Sequence, residues 1–301
     1  MRIHRIFQIF YYQQREKYNV AFYTQRNYLD YDAREYVDHL VDRLIRINAD
    51  LHFEHRVHEA YTGIQIGEKK VLKSYVHHFG YVYTNEEERL LKHNRNGKLL
   101  ELECNEHPEN MRMQYQLVIN QYETMEWDKA IRFAERAITY ENDSEYWDAC
   151  HTAILYCLMR KQDWDLLIRT GEEYLQKNLY PFDRFGVLQC LITGYWKIGE
   201  LNRICEHGDE VIALYTEYKK NQSFFNQQQL MRREFIEKDR LNMMLAYMMT
   251  AGICMNDEAY IVRLVSGAMA KEVTEMLAEK TIEKWIEHQV NWYMKYKKLD
   301  I

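Results

Sequence analysis

Glu126-Trp127-Asp128-Lys129-Ala130-Ile131, running on into Phe133, Ala134 and Ala137, decides how most of this chain folds. Small residues at helical spacing let two helices approach closely, and an aromatic ring at the head of the stripe fills the bend between them. Tyr115, Leu117, Val118 and Tyr122 supply the apolar stripe of a first helix before that bend. The same turn recurs as Asp163-Trp164-Asp165 and again as Gly199-Glu200-Leu201, so positions 127, 164 and 201 stand 37 residues apart. A period kept twice predicts three antiparallel helix pairs over residues 107–215, with Trp127, Trp164 and Leu201 at the turns.

That unit resembles the tetratricopeptide repeat, two helices in roughly 34 residues. The repeats are degenerate, with Leu167 and Ile204 where the first unit has Ala130. His107-Pro108-Glu109-Asn110 matches an inter-repeat turn, with Pro108 expected at a helix start, where its missing N–H costs nothing. Pro181 likewise precedes a helix-like segment from Phe185 to Trp196. Beyond Lys220 the period blurs, although Leu241, Met244, Leu245 and Met248 keep the stripe of a buried helix face, and segments near 257–278 and 280–297 continue as capping helices. Rows of Tyr, Met and Trp at this spacing are core, since a helix pair buries its apolar face against its neighbours. With 25 Tyr in the chain, a surplus on the concave face could bind a peptide or glycan.

Composition agrees with helix. Only 2 Pro and 11 Gly punctuate 301 residues of 47% hydrophobic content, and that length holds two domains. A net charge of −6 provides no basic field for DNA or RNA phosphates, which excludes nucleic acid as a partner. The six cysteines form no C-x-x-C pair and read as reduced packing residues. Neither the start of the chain nor Leu245–Met255 has an apolar run of the length that a signal peptide or a membrane span needs, so a cytoplasmic protein is expected.

Residues 1–100 read differently. Asn19–Tyr23, Leu51–Glu59 and Val71–His78 have the composition or alternation of strands, and Asp32–Ile47, with Tyr36, Leu40, Leu44 and Ile47, reads as an amphipathic helix. The expected fold is therefore α+β: a small N-terminal α/β domain over 1–100 and an all-α helical solenoid over 101–301. Three strands with one or two helices make a thin domain, one that leans on further structure or on a second chain, and pairing into a homo-oligomer is an expectation.

Asn27-Tyr28, Arg43 with Arg46, Phe53 leading to Val57-His58-Glu59, His78-Phe79-Gly80-Tyr81, Arg95-Asn96 and Leu99-Leu100-Glu101, followed by Glu103, lead in order to the Trp127 repeat. Over roughly residues 3–140 this ordered set resembles the C-terminal part of bacterial family 2 glycosyltransferases that carry tetratricopeptide tails. The resemblance implies that residues 1–100 are a remnant of a GT-A-type fold, with sugar transfer from a nucleotide sugar to a protein, peptide or envelope acceptor. It implies a divalent metal, Mn or Mg, as cofactor. It places Glu59 on the acceptor side as a catalytic base and His78 beside the diphosphate, as a cofactor-binding and metal-binding residue. A carboxylate can take an acceptor proton, and a neutral imidazole can bind such a metal. Against those roles stand structural ones: Glu59 orienting a loop, His78 bonding backbone at a strand end.

Such enzymes also carry a nucleotide-binding strand and an acidic D-x-D element, and both belong ahead of the residues that match here. Asp30-Tyr31-Asp32 precedes a predicted helix and Asp163-Trp164-Asp165 is the repeat turn, so neither replaces it. The nucleotide-binding half is therefore expected to be missing and the chain inactive alone. The alternative is a non-catalytic tetratricopeptide scaffold that binds a protein or peptide partner. His52, Glu54 and His58 share one strand face near His77 and His78, yet the spacing fits no recognised zinc pattern. Walker, G-x-G-x-x-G and G-x-S-x-G motifs are absent from the sequence.

Overall fold

A computed structural model describes residues 12, 17–63, 70–80, 82–140, 145–221 and 238–297. The chain divides into two compact units, Met1–Glu103 and Cys104–Ile301.

In the first unit β1 (Val20–Tyr28) is the centre of a three-stranded sheet. It pairs antiparallel with β2 (Tyr36–Ile45) and parallel with β5 (Lys70–His78). A separate two-stranded ribbon joins β3 (His52–Glu54) to β4 (Ala60–Thr62). The segment Asp32–Ile47, expected as a helix, is thus mostly β2. Its apolar residues come in adjacent pairs, 36–37, 40–41 and 44–45, which suit a four-residue helical repeat. Val37, Val41 and Ile45 are β-branched, though, and β1 supplies a partner for the whole length. Asp30 makes the reversal between the strands, its carboxylate accepting from the backbone N–H groups of Arg34 and Glu35. Leu51–Glu59, expected as one alternating strand, extends for only three residues before His55 and His58 take left-handed backbone at φ 70° and 56°.

Helix α1 (Glu86–Glu106) runs across the division between the units. The second unit is all helix: α2 (Met111–Glu123), α3 (Trp127–Ile138), α4 (Glu145–Lys161), α5 (Trp164–Leu175), α6 (Pro181–Ile198), α7 (Leu201–Lys220), α8 (Lys238–Met255), α9 (Glu258–Ser266), α10 (Ala270–Leu277) and α11 (Lys280–Lys297). Trp127, Trp164 and Leu201 open the second helix of three successive pairs. Pro181 opens α6 as expected. Pro108 does not open α2. It stays in the preceding turn, and Asn110 caps the helix by accepting from the Met113 N–H at 3.2 Å. The stretch 257–278 is two helices, broken at Gly267.

One backbone turn repeats through the array. Met125, Gln162, Gly199 and Asn256 each take φ between 54° and 83°, and each is followed by an acidic residue that precedes the next helix. The N–H groups of those acids, Glu126, Asp163, Glu200 and Asp257, donate to Gln121, Leu158, Tyr195 and Gly252 carbonyls at 3.0–3.1 Å. Each left-handed residue in turn donates three residues back. This is the Schellman closure of a helix, and it satisfies carbonyls that would otherwise end unpaired. The fourth turn shows that α8 and α9 are a fourth pair. Sequence periodicity missed it because Asn256 lies 57 residues after Gly199 instead of 37, the excess falling partly in a longer α7 and partly between α7 and α8.

The first helices form a continuous rank: α2 packs on α4, α4 on α6, α6 on α8 and α8 on α11. Within it α4 is buried from Asp148 to Leu158 and α6 from Phe185 to Ile192. Trp196, Tyr247 and Trp285 meet across three of these helices at centroid distances of 5.0–5.7 Å. His151, buried against Trp147 and Tyr174, stays neutral: burial carries its pKa down to about 4, against the raising effect of its bond to the Trp147 carbonyl. The fourth pair locks onto the third where Tyr260 of α9 meets α7 at Gly208. A Cβ at Gly208 would stand 2.0 Å from the tyrosine oxygen.

Gly199 has no neighbour within 4 Å of a built Cβ, so only its backbone resists substitution. Gly199→Ala should cost about 1 kcal/mol, the penalty of a left-handed L-residue, and Met125→Gly should return up to about that much. Urea midpoints at constant m-value measure both; equal midpoints for Gly199→Ala and wild type would contradict the shared turn.

Candidate functional site

Sheet pairing organises one face of the first unit. Arg26 donates from Nε and Nη2 to both carboxylate oxygens of Asp38 at 2.8 Å. Its guanidinium lies 3.9 Å from the Tyr36 ring centroid and 4.4 Å from that of Tyr75, so one aromatic from each edge strand clamps the cation. Next to it the Tyr28 hydroxyl bonds His77 Nδ1 at 2.7 Å, and the Tyr28 ring stacks on Phe79 at 4.5 Å. The Arg26–Asp38 pair, already closed on itself, leaves no charge over for an external anion. None of this was read from the sequence, because Asp38 and Tyr36 were placed on a helix.

His78 ends β5, its imidazole packed over Gly80: a Cβ there would come within 2.6 Å of the ring. The segment that follows meets α1 at a pocket of about 500 Å³. Phe79, Val82 and Leu91 supply its apolar wall, Tyr83, Lys92 and Arg95 its polar one. Lys92 donates to the Gly80 carbonyl at 2.7 Å and lies over the Tyr83 ring. The Arg95-Asn96 and His78–Gly80 segments, apart in sequence, are thus neighbours.

Glu59 sits elsewhere, exposed in the connection of the β3–β4 ribbon, while His78 belongs to the other sheet. The ribbon's connection is fastened by Glu103, a residue only 4% exposed. Its carboxylate accepts from His55 Nδ1 at 2.8 Å, from the Arg56 N–H at 3.3 Å and from Arg56 Nη1 at 3.2 Å. Burial alone would raise the Glu103 pKa; the donors from His55 and Arg56 outweigh it and hold the carboxyl below its ordinary range. Glu103 orients the loop that carries Glu59, and in the sequence it stands only as one member of the ordered set that resembles glycosyltransferases. Among the described residues no group of three His, Cys, Asp or Glu side chains is placed to hold a metal ion.

The solenoid's aromatics are spent on packing. Tyr156, Tyr195 and Tyr247 of the first helices are buried, as are Tyr174, Tyr215 and Tyr260 of the second. Exposed rings are at the margins, Tyr140 and Tyr180 between pairs and Trp292 on α11. Among the described residues most of the first-helix aromatics are buried or half-buried in the packing, since α4 and α6 are enclosed along their middles by neighbouring helices. Among the described residues a groove of about 310 Å³ stays open over α4, where α3 and α5 are not packed together. Ile131, Ile154, Leu158 and Leu166 line it below, Arg132 and Glu135 along one rim. An ion pair between Lys161 and Asp128 closes the end nearest the helix turns.

No protein-family profile matches the chain, and no curated protein matches it. Among solved structures it is similar to a Podosopora anserina kinesin light chain with nearly identical TPR-like repeats. That likeness is 14% identity and a TM-score of 0.37, over 64% of this chain and 98% of the other. A singly substituted form of the same protein gives the same figures. At that level the repeat assignment rests on the helix pairs and their turns, and nothing in these comparisons supports kinship with glycosyltransferases. Among the described residues no helix is long and apolar enough to cross a membrane.

Glu103→Gln should lose about 1.5–3 kcal/mol, since it leaves His55 and Arg56 without the charged acceptor. The pH dependence has a definite sign. With the folded carboxyl below its unfolded value, its stabilisation is complete above the ordinary glutamate range and is lost as pH falls through the folded value. Chemical denaturation across pH 3–7 checks this: the gap between wild type and Glu103→Gln should narrow toward acid, and a constant gap would contradict it.

Proposed function

We propose that this chain is a non-catalytic tetratricopeptide-like scaffold that binds a protein or peptide partner through its helical array. The observation that carries this reading is the array itself: four helix pairs among the described residues, each closed by the same turn, with a groove left open between the second helices α3 and α5. Such a stack buries a continuous core and offers an extended surface built from successive units, which is what a binding platform requires. Nothing comparable supports sugar transfer. Of the two residues that the glycosyltransferase resemblance singles out, Glu59 belongs to the ribbon's connection and His78 to the other sheet, and Glu103 explains the ordering of the Glu59 loop without a catalytic role.

Photo-crosslinking in the source cells tests the proposal. A benzophenone amino acid placed singly at the exposed positions Lys129, Arg169 and Asn202 on three second helices should give a discrete adduct, lost when excess unlabelled protein competes. The adduct should form from neighbouring positions on one surface. If no position yields a competable adduct, the scaffold reading is overturned.

A further inference from the structure

Resting on the scaffold reading, we propose that the groove between α3 and α5 receives an amphipathic helix of a partner protein, one carrying both an acidic and a basic residue about one turn apart. Each wall of the groove is a helical stripe. Positions 128, 131, 132 and 135 come from α3, positions 154, 158 and 161 from α4, and positions 166, 170 and 174 from α5. Three helices presenting successive turns to one channel give the repeat that another helix matches with its own i, i+3, i+4 and i+7 side chains. A peptide added as a strand would instead need open backbone donors and acceptors, and the groove's walls are helices whose backbone groups are already bonded.

Charge selects among helices. Arg132 and Glu135 stand on the rim at i and i+3, both exposed. Among the described residues neither is in an ion pair, whereas Asp128 at the groove's end is taken by Lys161. The facing wall offers Leu166, Thr170 and Tyr174, with no charge of its own. The rim therefore presents one cation and one anion a single turn apart, neither held in an ion pair, above an apolar floor; Arg132 is also within electrostatic reach of Asp128. A partner helix complements it with an acid and a base at the same spacing beside its apolar stripe. The first-helix rank offers no such channel, its helices α4 and α6 being enclosed along their middles.

Fluorescence anisotropy with designed, labelled helical peptides tests this on the full-length protein. All peptides share a leucine stripe at i, i+3, i+4 and i+7 and differ in two flanking positions one turn apart, filled by Glu and Lys, by two Glu or by two Lys. Wild type should bind the mixed peptide roughly two- to fivefold more tightly than either like-charged one, as one of the two exposed charge pairs turning from attraction to repulsion allows. Glu135→Arg, which makes the rim doubly basic, should shift preference to the two-Glu peptide. Arg132→Glu should shift it to the two-Lys peptide. Both substitutions are on the surface, and circular dichroism with unchanged urea midpoints verifies folding. No binding by any peptide, or a preference that ignores both rim variants, overturns the groove. The two failures are separable: competable cellular crosslinks outside the groove would leave the scaffold standing, while their complete absence removes the scaffold as well.

Discussion

The second unit depends on how its helices reverse. A helix that stops leaves carbonyls without partners, and a following helix needs its first N–H groups oriented within two residues. The left-handed residue and the acid after it do both at once, closing one helix through two backbone bonds and setting non-helical backbone at the next N-cap. Because Met125, Gln162, Gly199 and Asn256 impose the same change of direction, the pairs share a geometry and can stack on a common rank. Met and Gln in left-handed backbone are unfavourable by themselves, so two of the four turns are held by the helices on either side of them, and the dependence runs both ways.

Stacking then decides where a partner can reach the array. The first helices contact one another from α2 through α11, and that contact buries even polar positions such as Asp148, Thr152 and Asp183. Those polar groups are satisfied internally: the Thr152 hydroxyl donates to Asp183, and Asp148 accepts from the Tyr180 N–H. With these groups satisfied and the middles of α4 and α6 buried, the rank presents little surface with which to recognise another molecule, although the buried Gln189 amide of α6 has no partner among the described residues. The second helices are wider apart, and the space between α3 and α5 is the consequence.

How far the sequence revealed this varied with the physics involved. The three pairs between residues 107 and 215 were legible because each turn places a large side chain at a fixed interval from small ones. The fourth was hidden by extra residues within α7 and between α7 and α8, although Asn256-Asp257 repeats the pattern of a left-handed residue and an acid. The Asp32–Ile47 segment was misread because its paired apolar residues fit either period, and strand pairing with β1 is a tertiary fact that local spacing does not contain. For the same reason the Arg26 clamp and the Glu103 latch were out of reach: they join residues 12 and 48 positions apart in sequence. The tyrosine surplus pointed to a ligand surface, and burial turned most of it into core.

The central claim is that the chain binds macromolecules instead of transferring sugars. Isothermal titration of the purified protein with UDP- and GDP-sugars in the presence of Mn²⁺ tests it most directly, because stabilising a departing diphosphate requires a metal held by converging acidic ligands. Among the described residues no such set of ligands converges. The account predicts no saturable heat at millimolar nucleotide sugar. Micromolar binding that depends on the metal would contradict it.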